Sequence, residues 1–232
     1  LLKADIIMVS DGEIVGDTPT IEGSLRGGFN AKVIITGPIN DLHSGIFGGA
    51  VPNPALIASK VVAGLKDDTG FVLIDNFYDG VKEISQEQLE YLEKMPSDST
   101  AMQVAGVDSL TTEPGVSFYG QVGLRPTLEI SGINSGYTGE GYKNIVPSKA
   151  EFRVNFRLVA GQDGYAIYQS FSHYLANAIP KYVGWEVERT DIYDAVELDV
   201  NSPKALEVRK LLAEAYGVEP LIKYVGGGIP VV

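Results

Sequence analysis

Residues 37–54 read GPINDLHSGIFGGAVPNP, and they join a segment with strand character to one with helix character. The residues before them, 29–36, alternate as a half-buried strand does. The residues after them begin with Asn53 and Pro54, an N-cap amide followed by a proline suited to the first helical position. A strand can pass into a helix through a few residues. This connection is far longer, carries four glycines and holds His43, one of only two histidines in the chain. A loop built this way presents an imidazole to something outside its own core. On local sequence a second reading stays open, in which His43 only hydrogen-bonds within the loop, to Asp41 or Ser44.

Working outward, Leu56, Ile57, Val61 and Leu65 form one stripe, which predicts a helix over 54–65. Upstream, residues 4–10 read as a buried strand ending at Asp11-Gly12, and 18–26 as a crossing segment. Downstream, 71–74 reads as a short strand, and Ser85 with Gln88 forms a capping-box pattern opening a helix to about residue 94. Residues 96–123 show no usable period. A second strand is expected over 126–131, then a loop with four glycines to Pro147. Over 150–159 the alternation is clear: Phe152, Val154, Phe156 and Leu158 face one way, Arg153, Asn155 and Arg157 the other. Asp163 caps a helix with Ile167, Phe171, Tyr174, Leu175 and Ala178 on its stripe. His173 falls off that stripe and reads as a solvated helix residue. A fourth strand is expected over 185–192.

This order predicts an α+β fold. Residues 25–193 make a ferredoxin-like βαββαβ unit, a four-stranded antiparallel sheet with two helices on one face. The other face is then free for a partner. Residues 1–24 and 194–232 flank it as α/β pieces. In the latter a helix starts near Ser202-Pro203 and stops at Gly217, a strand covers 221–225, and Gly226-Gly-Gly-Ile-Pro230 makes a tight loop.

Composition narrows the function. A formal net charge of -12 argues against a nucleic-acid partner, whose phosphates want basic patches. No apolar run approaches the roughly 18 residues of a membrane span, so no membrane partner is expected. The chain has no cysteine, so any metal would sit on carboxylates and imidazoles. It begins at Leu1 without methionine and stops in an apolar run, from which a longer parent is expected. The expected location is cytoplasmic.

Several motifs carry a resemblance. Residues 41–54, then Arg125-Pro-Thr-Leu-Glu-Ile-Ser-Gly-Ile133, then Gly136-Tyr-Thr-Gly-Glu-Gly-Tyr-Lys-Asn-Ile-Val-Pro147, then Phe156-Arg-Leu-Val159 resemble, in order and spacing, the lid or dimerisation domain of the M20 metallopeptidases. The likeness is to the carnosine-dipeptidase and aminoacylase branch. It implies a zinc-dependent hydrolase that cuts a dipeptide or an N-acyl amino acid and pairs as a homodimer through its lid.

By that resemblance Arg157 would bind the substrate's terminal carboxylate, and Asn144 would contact substrate nearby. His43 would reach the other subunit's active site and donate to the tetrahedral oxyanion. Gly228 stands where the family's Gly-Gly-Ser-Ile-Pro loop has serine, so a hydroxyl contact does not carry over. Asp11 lies where one of the two zinc ions takes an aspartate ligand. The family's His-x-Asp motif, bridging aspartate, Glu-Glu pair and late histidine do not occur in this sequence, so the chain alone is expected to be inactive and not to retain zinc. The alternative is a non-enzymatic ferredoxin-like module serving assembly or small-molecule binding.

Overall fold

The computed structural model describes Val9 and residues 12–228. Its first half forms β1 (Ile14–Val15), β2 (Thr18–Leu25), β3 (Gly27–Thr36), β4 (Leu42–His43), α1 (Ser44–Phe47), α2 (Pro54–Ala63), α3 (Gln86–Leu92), α4 (Asp98–Ala105) and α5 (Phe118–Leu124). Its second half forms β5 (Thr127–Ser135), β6 (Ile145–Val146), β7 (Lys149–Leu158), α6 (Gly164–Ala178), β8 (Gly184–Arg189), β9 (Val196–Glu197), α7 (Pro203–Tyr216) and β10 (Leu221–Val225). Helix starts follow the local chemistry. Asn53 Oδ1 accepts from the N–H groups of Ala55 and Leu56, with Pro54 in the first turn. Ser85 and Gln88 close a reciprocal capping box at α3. Asp163 Oδ1 accepts from Tyr165 and Ala166 at α6.

The main sheet runs β5-β7-β3-β8, and every neighbouring pair is antiparallel. Of its two central strands β7 alternates strictly, while β3 also buries Ile34 between Val33 and Ile35. Phe29, Ala31, Val33 and Ile35 of β3 and Phe152, Val154, Phe156 and Leu158 of β7 are all buried. They pack with Ile57, Ala58 and Val61 of α2 and Ile167, Phe171 and Leu175 of α6, so both helices cover the same face. Phe29 stacks on Phe156 with ring centroids 4.3 Å apart. Burying each such ring stabilises the fold by about 1.5–3 kcal/mol. Asn30, Asn155 and Arg157 are left on the opposite, uncovered face.

A second sheet takes strands from both ends of the described chain. β10 pairs parallel with β2, while β1 and β9 pair antiparallel with it. Tyr91 and Leu92 of α3 join Val200, Ile222 and Tyr224 in a separate small core. Helix α5 lies so close to β10 that a Cβ on Gly123 would sit 2.3 Å from the Tyr224 carbonyl oxygen, and only glycine fits there. A single residue, Arg26, separates β2 from β3 and so carries the chain from one sheet to the other.

Some expectations change. Residues 18–25 form the strand β2, not a bare crossing, because β10 supplies a partner some 200 residues on. Over 71–74 there is only an isolated bridge between Lys66 and Val72. Leu56 is 56% exposed and leaves the predicted stripe, while Ile57, Val61 and Leu65 are buried. Ala178 is likewise exposed. Residues 96–123 hold two helices, α4 and α5, and β8 ends at Arg189, before Ile192. His173 is an exposed helix residue, as expected. Of the strand expected over 4–10 only Val9 is among the described residues, and it is exposed.

Candidate functional site

The long loop after β3 is pinned in three places. Leu42 and His43 pair with Val146 and Ile145. The Ser44 N–H donates to the Asn144 carbonyl at 2.8 Å. The Ser148 N–H donates to Asp41 Oδ1 at 2.8 Å, and this bond holds the Asp41 carboxyl below its usual range. His43 and Asn144 are therefore neighbours, and both are exposed.

The His43 ring is fixed by its own loop. Nδ1 accepts from the Gly45 N–H at 3.0 Å and caps the short helix α1. The neutral ring that makes this bond carries its proton on Nε2, so Nε2–H is the donor it has left to offer. The loop-internal partner is thus Gly45 and not Asp41 or Ser44. In the two loops that meet here, Ile46 is 72% exposed and Tyr142 fully exposed. Beside it the Lys143 ammonium sits 4.4 Å above the Tyr137 ring.

Arg157 lies at the other end of the sheet, half-buried on the uncovered face. Its Nε donates to Asn155 Oδ1 at 3.2 Å, and its Nη1 donates to the Tyr193 hydroxyl at 2.9 Å. Asn155 in turn donates to Asn30 Oδ1 at 2.7 Å across the strand pair. Neither Arg157 bond uses Nη2, which leaves that edge of the fork available. Tyr193 is held there because its backbone exchanges two hydrogen bonds with Gly28, at 2.9 and 3.1 Å.

Arg26 ties this end to the glycine loop after β10. Its side chain is buried. Nε donates to the Gly226 carbonyl at 2.9 Å, and Nη1 reaches the Arg125 carbonyl at 3.3 Å and Thr127 Oγ1 at 3.2 Å. Its backbone N–H donates to the Gly227 carbonyl at 2.9 Å. Burial, and after it the neighbouring Arg157 cation, push the Arg26 guanidinium down to about 10. A Cβ on Gly228 would sit 2.9 Å from the Arg26 carbonyl oxygen and 3.0 Å from Tyr193 Cε2.

The five candidates of the sequence fall into two groups and a remainder. Arg157 and Gly228 meet around Tyr193, and His43 and Asn144 meet around Ser44. Gly28 pairs with Arg157 and Thr36 with Lys149 in the same ladder. Gly28 and Thr36 are thus about 26 Å apart along β3, at about 3.3 Å per residue, with Arg157 at one end and the loop bearing His43 leaving the other. Asp11 lies outside the described residues. No group of three or more His, Asp or Glu side chains that could hold a metal stands among the described residues, so they do not fit a zinc centre. Two clefts of about 170 and 260 Å³ open elsewhere, one beside Ser24, Lys82 and Glu197, the other beside Phe71, Tyr78 and Phe118. None of the candidates lines either.

Sequence reasoning did not single out Arg26, Asn155 or Tyr193 as members of the site. Asn155 was legible as a neighbour of Arg157 on the polar side of β7. Tyr193 and Arg26 gave no periodic signal, because each acts through partners far away in sequence.

Chemically, one end offers a neutral imidazole donor amid apolar surface. The other offers a guanidinium fork and a phenol suited to an anion. Among the described residues no helix is long and apolar enough to cross a membrane.

Residues 24–183 match the family model described as a peptidase dimerisation domain. The Cys-Gly metallodipeptidase of Candida albicans is 30% identical over 159 residues, covering 68% of this chain and 33% of that protein. The cysteinylglycine-S-conjugate dipeptidase of Corynebacterium striatum is 28% identical over 235 residues, covering 99% of this chain and 50% of that protein. Among solved structures, an M20 family metallo-carboxypeptidase from Sulfolobus solfataricus superposes with a TM-score of 0.87 at 27% identity, over 98% of this chain and 52% of that one. The chain spans about a third to a half of the length of the curated relatives it matches.

Proposed function

The chain belongs to the M20 peptidases by its dimerisation domain, and from that premise we propose that it brings two half-sites to a homodimeric dipeptidase. The strand order β5-β7-β3-β8 with both helices on one face supports reading residues 25–193 as a ferredoxin-like lid. Residues 1–24 and 194–232 would belong to the catalytic domain, whose sheet would include β2 and β10. The substrate would be a dipeptide or an N-acyl amino acid, in keeping with the dipeptidases among the relatives. The setting would be cytoplasmic.

Arg157 would hold the substrate's terminal carboxylate through the free edge of its fork, with the Gly228 loop beside it. His43 would donate Nε2–H to the oxyanion of the tetrahedral intermediate, and Asn144 would contact the substrate next to it. The parent enzyme's metal would be zinc, two ions, with Asp11 as one ligand. The described residues hold no such cluster, so His43, Asn144, Arg157 and Gly228 would act on substrate and not on metal, and the chain by itself would be inactive.

One observation carries the reading. Arg157 pairs with Gly28 at one end of β3, and the loop bearing His43 leaves the other end, about 26 Å along the strand. Placement at opposite ends of the sheet supports the reading in which one substrate meets the two residues from different chains. The His43 end, exposed and carried by loops that also expose Ile39, Ile46 and Tyr142, suits insertion into a second subunit.

The test is subunit complementation in the full-length enzyme. His43→Ala is expected to lower kcat by about 10²–10³, the usual loss for one oxyanion donor, with metal and dimer retained. Mixed with Asp11→Ala subunits, it should regain activity, because the hybrid holds one site with Asp11 from one chain and His43 from the other. Verified exchange without recovery would remove the trans role.

A further inference from the structure

We propose that Tyr193 is a second ligand for the substrate's terminal carboxylate, its phenol O–H donating to the anion that Arg157 holds. The inference rests on the anchoring role proposed for Arg157. The Tyr193 hydroxyl accepts from Arg157 Nη1 at 2.9 Å. That bond uses an oxygen lone pair and leaves the hydroxyl proton uncommitted. Among the described residues the hydroxyl makes no other hydrogen bond. The side chain is 41% exposed, so the free proton is accessible from the uncovered face.

Three features show that the tyrosine is placed and not merely present. Its backbone is locked to Gly28 by an exchanged pair of hydrogen bonds. Its ring occupies space that residue 228 yields only by lacking a side chain, since a Cβ there would approach Cε2 to 3.0 Å. Its hydroxyl accepts from Arg157 Nη1, so the phenol stands directly beside the guanidinium it would assist.

Charge argues for what belongs at that point. Arg157 lies close enough to Arg26 that its cation, after burial, disfavours the charged form of Arg26. The bonds described for them end on carbonyls, a side-chain amide oxygen and hydroxyls, none on a carboxylate. The nearby carboxylate of Glu129 is taken by Lys66 at 2.8 Å. Two positive groups with a spare phenolic donor make a cradle for a small anion with two oxygens in one plane. A peptide's C-terminal carboxylate has that shape. The tyrosine thus fills the role of a neutral donor at the position where Gly228 offers none.

The experiment compares Tyr193→Phe with Arg157→Lys in the full-length enzyme, using alanylglycine as substrate. Tyr193→Phe keeps the ring and removes only the hydroxyl. It is expected to raise KM about tenfold, the scale of one hydrogen bond to a charged group, while kcat and thermal stability hold. Arg157→Lys should also raise KM. If Arg157→Lys raises KM and Tyr193→Phe does not, the tyrosine is no ligand and the arginine's role stands. A Tyr193→Phe loss shared between kcat and stability would make the tyrosine a structural prop and overturn the proposal. If neither variant moves KM, or the unsubstituted enzyme leaves alanylglycine uncut, the anchor itself falls and takes the tyrosine with it.

Discussion

The two ends of the main sheet are built in opposite ways. At the His43 end, two loops about 100 residues apart in sequence are joined mainly through their main chains, and His43 and Asn144 are exposed. At the Arg157 end the links run through side chains: Arg26 to the Gly226 carbonyl, Arg157 to Asn155 and Tyr193, Asn155 to Asn30. The first end is shaped by backbone pairing and leaves its side chains to reach outward. The second is shaped by a side-chain network that already orients its polar groups. On the proposed reading, ends built so differently would serve two different active sites.

The largest expected effect breaks both ends at once. Phe156 is fully buried, stacks on Phe29 and meets Phe171 edge-on, so it is part of the floor both ends stand on. Phe156→Ala should lower unfolding stability by about 3–5 kcal/mol in denaturant titration, with the His43 and Tyr193 resonances lost together at one midpoint. Separate midpoints would mean that the ends are not carried by a common core.

A narrower substitution should split them. Arg157→Lys removes the fork but keeps the charge, and kcat/KM on a dipeptide should fall by about 10- to 100-fold, the scale of losing a bidentate charge-assisted contact. The His43 ring resonances should not move. A shift there would show that the two ends communicate along β3.

The smallest effect sits in the loop. Because the Ser148 N–H bonds to the Asp41 carboxylate, Asp41 has a lowered pKa in the folded chain. The stabilisation it gives is fully present above its ordinary value of 3.8 and disappears as pH falls through the lower folded value. Followed by NMR, the Ser148 amide should titrate below pH 3.8, and Asp41→Asn should abolish that titration. The Arg157 end should not respond to the substitution.

What could be read from the residues divides between local patterns and distant pairings. The caps at Asn53, Ser85 and Asp163, the alternation of β7 and the odd length of the His43 loop are all local patterns, and each was legible. The pairing of β2 with β10 was not, because nothing within residues 18–25 indicates a partner some 200 positions away. Helices α4 and α5 escaped for a related reason. They carry weak stripes and are fixed by contacts such as Asp98 Oδ1 accepting from the Phe118 N–H at 2.8 Å and Gly123 lying against Tyr224. Of the site, Arg157 could be singled out by the company of its motif. Tyr193 sits just past the last strand of the main sheet, where spacing carries no information, and only the bridge to Gly28 brings it to the arginine.

The bridge between Gly28 and Tyr193 also bears on how the outer sheet can form. Thr20 in β2 must find Leu221 in β10, and closing a flexible loop of about 200 residues carries a large entropic penalty. Once the main sheet has folded, that bridge already holds the intervening chain shut. Only the short arms on either side, about 36 residues in all, then remain to be closed. On the logarithmic scaling of loop entropy this lowers the penalty by about 1.5 kcal/mol. The outer strand pair is thus prepared by a bridge that the main sheet has already closed, and that sheet acts as the scaffold on which the chain's two distant arms are brought into register.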